Sequence, residues 1–373
     1  AIMINNVNNS GYATGQAGGN KWSYLYNYNN PGNKNALDGT ATTGYYSGSA
    51  LNGISIGHNT NIQESSDPTY YSGVAIGDYA QATGGLSFSI GNYAQSTKPS
   101  AMAIGTSSLS SGFNSLAMMR QSAATGNFST AIGTTAWAKG TGSFAMGYSA
   151  QAKGDQYIAI GAAEPITVAG SGNEPSASYN GDTNTVTNGA RSLAFGTKAR
   201  TEAAASDSMA FGSNAKTKAA NAVAMGNSSR ATATDAFAFG NTAYATGANA
   251  IAMGRTAQAR QLNAIALGGE SKALEANALA IGGKAEASKA GTMAIGTEAK
   301  ASSNNATAIG NDAEVTGENS MALGAGAKIS SNNSIALGAG TEFNDPLVNT
   351  YAAFTNEMNP AEAGVVAVGN TGT

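Results

Sequence analysis

Residues 249–259, NAIAMGRTAQA, carry the pattern that decides the fold. A first segment alternates alanine with bulky apolar side chains and ends on Gly254, and a second, shorter alternating segment ends on Ala259. Alternation with a period of two predicts β-strands, and the glycine and polar residues around the segments predict turns. The stretch therefore predicts two short strands in succession, each followed by a turn.

The same pattern recurs along the chain at a spacing of fourteen residues. Its glycine stands in two runs, at Gly77, Gly91, Gly105, Gly133, Gly147 and Gly161, and at Gly212, Gly226, Gly240, Gly254, Gly268, Gly282, Gly296, Gly310, Gly324 and Gly338. Met119 occupies the missing place in the first run, Gly57 and Gly196 mark copies out of phase, and residues 366–369 form a last copy. About twenty copies are expected, which is typical of a solenoid in which each copy forms one coil.

Stacked coils pair equivalent strands as parallel ladders, at an advance of roughly 4.8 Å per coil. In one such strand Ile265 and Leu267 point to one side and Ala264 and Ala266 to the other, so both faces are apolar. A two-stranded coil covers only one of these faces, and a strand that is apolar on both must be covered on both. We therefore expect an all-β, parallel β-roll of 14-residue coils, covered on its outer apolar face by further copies of the chain. An α-helical fold is excluded, because the recurring glycines would end each helix after about two turns.

The composition excludes much chemistry. Only 11% of the residues are charged, against roughly 25% in an ordinary soluble protein. Cysteine is absent, which excludes disulfides and thiol nucleophiles, and the single histidine, His58, provides no pair for a metal or a catalytic array. We therefore predict no enzyme activity, no cofactor and no metal site. One alternative is left open: three copies of His58 around an axis would form a metal or anion site. The net charge of −3 comes from scattered residues, which argues against nucleic acid as a partner.

The repeats Val74–Gly77, Ala103–Gly105, Ala159–Gly161 and Ala308–Gly310 resemble the head repeats of YadA-type trimeric autotransporter adhesins. Residues 364–372, GVVAVGNTG, resemble the start of that family's neck. The stretches 84–91 and 111–117 are most similar to N-terminal heads of Acinetobacter adhesins. A single Ala-Ile-Gly has no value as a motif, but some twenty copies in phase are specific.

The resemblance implies a left-handed parallel β-roll assembled as a homotrimer. The core between the three chains would then be formed by the bulky residues of the repeat, among them Ile76, Ile104, Ile265, Leu267 and Ile309. The resemblance also implies a Gram-negative cell surface location, with an outer-membrane anchor in a C-terminal region beyond this sequence.

The function implied is a virulence-associated adhesin head that attaches multivalently to host extracellular matrix (the collagen, laminin and fibronectin class) or to surfaces, and that supports autoagglutination or biofilm formation. The alternative is a structural spacer that holds another binding domain away from the cell. A β-helix enzyme acting on polysaccharide would need clustered carboxylates, whereas Asp and Glu are dispersed here.

The repeat and its interruptions divide the chain into five parts: an N-terminal cap or tip segment, 1–50; a first repeat run, 51–161; an insertion, 162–190; a second run, 191–340; and a junction with the start of the neck, 341–373. In the first part Trp22, Tyr24, Tyr26 and Tyr28 alternate onto one face of a strand. They would either cap the roll or form a sticky tip, and we include them among the candidate ligand contacts.

The insertion 162–190 is either a tolerated surface loop or a ligand-binding projection, with Val168 and Val186 as opposing strand residues. The second run carries basic residues among glutamates in its short strands and turns. A solvated face of mixed charge is the simpler interpretation, and contact with an extended ligand such as collagen or a polyanion is the other. Arg255, Arg260 and Lys272 are the candidate contacts of this face.

Overall fold

The computed structural model describes residues 4–5, 52–57, 59–62, 72–167, 177–179, 183–343 and 366–368. The regular elements in these ranges are short β-strands. No helix in the described ranges is long and apolar enough to cross a membrane. The chain divides into two compact units, Ala1–Ala199 and Arg200–Thr373. Each unit contains a ladder of long strands, of three to five residues, and a ladder of short strands, of two residues.

The long strands of the first unit are Asn52–Ile56, Ser72–Ile76, Ser87–Ile90, Met102–Ile104, Leu116–Met118, Thr130–Ile132, Phe144–Met146, Ile158–Ile160 and Leu193–Phe195. Its short strands are Asn61–Ile62, Gln81–Ala82, Gln95–Ser96, Leu109–Ser110, Ala123–Ala124, Trp137–Ala138, Gln151–Ala152 and Val186–Thr187. Strand Ile4–Asn5 pairs antiparallel with Asn52–Ile56 at the start of the long-strand ladder.

The long strands of the second unit are Met209–Phe211, Val223–Met225, Phe237–Phe239, Ile251–Met253, Ile265–Leu267, Leu279–Ile281, Met293–Ile295, Thr307–Ile309, Met321–Leu323, Ile335–Leu337 and Val366–Val368. Its short strands are Arg200–Thr201, Lys216–Thr217, Arg230–Ala231, Tyr244–Ala245, Gln258–Ala259, Lys272–Ala273, Glu286–Ala287, Lys300–Ala301, Glu314–Val315, Lys328–Ile329 and Glu342–Phe343.

Successive long strands pair in parallel, and so do successive short strands. Ile251 pairs with Ile265, and the next pairs are Ala252 with Ala266 and Met253 with Leu267, a step of fourteen residues. The chain is thus all-β and forms a parallel β-solenoid of about 18 coils, with a spacing of about 14 residues. This confirms the all-β class and the parallel stacking of 14-residue coils.

The interior of each coil is built from alanine. The central alanine of a long strand, such as Ala266, is 0% exposed, and so is the alanine of the facing short strand, such as Ala273. Small side chains let the two strands of a coil approach closely, and only a few interior positions hold a larger residue, such as Val315 and Ile329. In the first unit serine takes some of these places, as at Ser110, whose Oγ lies 2.6 Å from Ser115 Oγ.

The turns that lead into the long strands of the second unit carry a column of asparagines. Asn249, Asn263 and Asn277 have φ values of 54°, 54° and 57°, in the left-handed region that asparagine tolerates better than other non-glycine residues. Their amides form a ladder, in which Asn249 Nδ2 donates to Asn263 Oδ1 at 3.2 Å and Asn263 Nδ2 donates to Asn277 Oδ1 at 3.0 Å. The column therefore stabilises both the turn conformation and the stacking of coils.

Replacing Asn263 by alanine is expected to lower the free energy of unfolding by about 1–2 kcal/mol. Alanine retains the left-handed strain but loses both amide hydrogen bonds. Asn263→Gly loses the same hydrogen bonds and relieves the strain, so we expect a smaller loss for glycine. Denaturant unfolding of both variants measures the difference. An alanine variant as stable as the glycine variant would show that backbone conformation contributes nothing here.

The interruption between the runs contains an antiparallel pair outside the two ladders. Strand Pro165–Thr167 pairs with Ala177–Tyr179. The expectation that Val186 belongs to this excursion is wrong, because Val186–Thr187 pairs in parallel with Gln151–Ala152 and Val186 is 3% exposed. Val168 lies outside the described residues. The apolar Val186 returns to the roll because the interior of a coil is the nearest place where it is shielded from water.

Candidate functional site

The outer side of the long-strand ladder is apolar in both units, and we call it the apolar face. Most long strands direct a central alanine inward and the residues on either side of it outward, and in Ser87–Ile90 serine takes the inward place. Phe239 is 43% exposed, Met253 42% and Leu323 43%. The residues predicted to form a core between chains all lie on this face and are half-buried in the single chain: Ile76, Ile104, Ile265, Leu267 and Ile309.

A continuous apolar surface of this kind is unusual on a single soluble chain. Strand register places bulky residues next to one another from coil to coil, as in the column Ile251, Ile265 and Leu279. Exposed apolar patches larger than a few hundred Å² mark contact surfaces in soluble proteins. The apolar face therefore has the character of a contact surface.

The outer side of the short-strand ladder in the second unit is polar and charged. From Lys272 onward the first residue of each short strand alternates in sign, and strand register sets these residues side by side. We call this row the charge ladder; its members are Lys272, Glu286, Lys300, Glu314, Lys328 and Glu342. Lys272 Nζ lies 3.4 Å from Glu286 Oε2. Because each interior member has opposite charges on both sides, the positive and negative charges of the row neutralise one another.

Reversing one charge of this row is expected to destabilise the roll. Glu286→Lys would place three lysines on adjacent strands, and like charges in register are unfavourable by about 0.5–1 kcal/mol. We expect the loss to shrink as NaCl is raised, because salt screens exposed charges. Thermal unfolding at low and high salt measures it, with Glu286→Gln as the neutral control. A loss that does not change with salt would contradict an electrostatic origin.

The three basic residues predicted to contact a ligand already have partners within the chain. Lys272 belongs to the charge ladder, and the exposed guanidinium of Arg255 forms an ion pair with Glu270 in the neighbouring turn. Arg260 Nε and Nη2 donate to Gln258 Oε1 at 3.1 and 2.6 Å. Arg260 and Lys272 both lie beside Gln258, because Gln258 pairs in register with Lys272. The aromatic candidates Trp22, Tyr24, Tyr26 and Tyr28 lie outside the described residues.

Exposed aromatic side chains on the turns of the first unit were missed by the sequence analysis. The rings of Tyr79 and Tyr93 stack on adjacent coils, with centroids 4.9 Å apart and planes inclined by 2°. Both have φ near 58°, and they are 39% and 53% exposed. The signal was present in the sequence, because each tyrosine follows a repeat glycine by two residues. A left-handed conformation in an exposed aromatic residue is uncommon and costs about 1–2 kcal/mol.

The described residues contain no group of three or more His, Cys, Asp or Glu side chains placed to hold a metal ion. His58 itself lies outside the described residues. The described residues present two surfaces suited to binding another molecule: the apolar face, and the charged outer side of the short-strand ladder.

Comparison with known protein families gives one match. The family model described as the YadA head domain repeat, in two copies, matches eight segments, which together cover about half of the chain: 110–136, 124–150, 138–163, 203–229, 231–257, 259–285, 287–313 and 316–341. No curated protein matches the chain. The matched segments lie within the regular coils of both units.

Proposed function

The chain belongs to the YadA head family, whose function is of the adhesin type, and from this premise we propose that it is the head of a trimeric bacterial surface adhesin. It attaches multivalently to host extracellular matrix proteins of the collagen, laminin and fibronectin class, or to surfaces, and it supports autoagglutination and biofilm formation. It acts at the outer membrane of a Gram-negative cell, through an anchor beyond this sequence.

The observation that carries the proposal is the apolar face. Its side chains are about two-fifths exposed in the single chain, as at Phe211 and Met253, and burial of such area contributes about 25 cal/mol per Å². Three left-handed rolls joined along this face would cover it with identical copies, in the closed symmetry that homo-oligomers favour. The short strands and turns would then face outward on all three sides.

Attachment by such a head needs no strong single contact. Three identical outer faces per molecule, and many molecules per cell, raise the effective concentration of each contact. Candidate contacts on the outer side are Arg255, Arg260 and Lys272, together with the predicted tip residues Trp22, Tyr24, Tyr26 and Tyr28. The stacked pair Tyr79 and Tyr93 joins them, because exposed tyrosine provides large amphipathic contact area.

The test is the binding of residues 1–373, fused to a neutral trimeric coiled coil, to collagens, laminin, fibronectin and bare plastic. The coiled coil alone is the control. Saturable binding to one matrix protein supports a receptor-type adhesin, and adhesion to every surface supports a general attachment head. If the folded trimer binds none of them, the chain is a spacer that carries another binding domain.

A further inference from the structure

The first three short strands of the second unit carry a row of cations that the charge ladder does not include. Arg200 pairs in register with Lys216, and Lys216 pairs with Arg230. Lys218, exposed, follows the second of these strands. We call these four residues the basic cluster: Arg200, Lys216, Lys218 and Arg230.

Positive charge exceeds negative charge in this cluster. Among the residues of these three strands and the residue directly after each strand, Glu202 is the one carboxylate. Its Oε1 lies 2.7 Å from Lys216 Nζ and 4.0 Å from Arg200 Nε. The hydrogen bond from Lys216 holds the pKa of Glu202 below its ordinary value, so this carboxylate is ionised at neutral pH and offsets one cation. Asp207 and Asp235 lie in the turns that lead into the long strands.

The described residues do not give every cation of the basic cluster a carboxylate or hydrogen-bond partner. Arg200 Nε is buried and has no hydrogen-bond partner in the described part of the chain, and its ion-pair distance to Glu202 is long, at 4.0 Å. The guanidinium of Arg230 lies over the ring of Tyr244, 5.6 Å from its centroid, and faces no carboxylate on its neighbouring strands. In the charge ladder, by contrast, a lysine such as Lys300 has a glutamate on each side. The basic cluster and the charge ladder have the same arrangement of parallel short strands. They differ in the order of positive and negative side chains along the row.

We propose that the basic cluster binds a linear sulfated polysaccharide. Parallel strands space Arg200, Lys216 and Arg230 at roughly 4.8 Å along a line, which suits an extended chain whose negative groups recur at short intervals. The site takes this ligand rather than single-stranded nucleic acid, because proteins that hold single strands add aromatic platforms for the bases. Here Tyr244 already packs against Arg230. This ligand goes beyond the matrix proteins proposed above.

The experiment measures binding of the full chain to immobilised heparin, with neutral dextran as the negative surface. The variant Arg200→Gln, Lys216→Gln, Arg230→Gln is expected to bind heparin roughly tenfold more weakly, because it removes three of the four cations. It should also elute from heparin at lower salt. Circular dichroism and the melting temperature establish that the variant is folded. If it is not, Lys218→Gln, at an exposed position, is expected to weaken binding roughly twofold to threefold.

The matched control is Lys284→Gln, Lys300→Gln, Lys328→Gln, which removes the same number of positive charges from the coils that carry the charge ladder. Heparin binding that survives in this control and is lost in the cluster variant supports the proposal. Equal losses in both would overturn it, because net charge alone would then explain the binding. Absence of native binding to heparin, or equally tight binding of single-stranded DNA, would overturn it as well. Binding of the same variants to collagen and fibronectin tests the proposed adhesin function separately.

Discussion

The double substitution Ile265→Asp with Leu267→Asp is expected to abolish assembly of the chain. Both side chains lie on the apolar face and are half-buried in the single chain. At the proposed interface three copies would bring six carboxylates together away from water. An unpaired charge moved out of water costs several kcal/mol even after relaxation, which outweighs the apolar contact that it replaces. Analytical ultracentrifugation should show a single or an unfolded chain for the variant and the proposed trimer for the native chain.

The control for this prediction introduces the same charge on the other side of the roll. Gln258→Asp with Gln261→Asp adds two carboxylates in the segment that precedes the strand of Ile265. Gln258 is half-buried and Gln261 is exposed. We expect this variant to assemble as the native chain does. A folded, trimeric Ile265→Asp, Leu267→Asp variant would show that these positions remain in contact with water, and the proposed interface would be wrong.

Replacing Gly268 by alanine is expected to destabilise the roll by about 2–5 kcal/mol. Gly268 has φ of +131°, a conformation that side chains rarely adopt, and an added Cβ would lie 2.4 Å from the carbonyl oxygen of Gly282 in the next coil. Backbone strain of this kind costs about 1–3 kcal/mol, and overpacking adds a similar amount. Equilibrium unfolding in urea should show the loss as a lower midpoint.

The adjacent residue, Gly269, is the matched control. A Cβ added there would meet no atom within 4 Å, so Gly269→Ala is expected to leave stability unchanged or to raise it slightly by restricting the unfolded chain. If the two alanine variants were equally stable, the close approach of the glycines from coil to coil would not be what selects glycine at this position.

The coil itself was predictable from the sequence. The alternation around Ile265 and Leu267 predicted the long strand, the segment ending on Ala259 predicted the short one, and both are present. Prediction succeeded because a repeat of fourteen residues reports the same local geometry many times over. The interruption was harder: Val186 was assigned to an excursion, although its strand belongs to the roll. Two β-branched residues with a turn sequence between them are typical of a hairpin. The same pattern also occurs where the chain returns from an interruption to the next coil of the roll.

The charged rows show what periodicity alone misses. Arg200 and Lys216 are separated by sixteen residues, two more than the repeat, yet they are direct neighbours on adjacent strands. The step from Thr201 to Met209 is longer than that from Thr217 to Val223, so the extra residues lie in the turn. Spacing along the chain therefore hides the basic cluster, whereas hydrogen-bond register between strands reveals it.

The sequence by itself determined the β-solenoid, the length of its coil, the alternation of small and bulky side chains and the absence of cysteine chemistry. These are local properties, because strand alternation and glycine turns depend on neighbours within a few residues. Only the tertiary structure decided which residues of different coils lie side by side: the charge ladder, the basic cluster and the stack of Tyr79 on Tyr93. Those neighbours are set by backbone hydrogen bonds between coils, which hold the strands in register whatever the length of the turns between them.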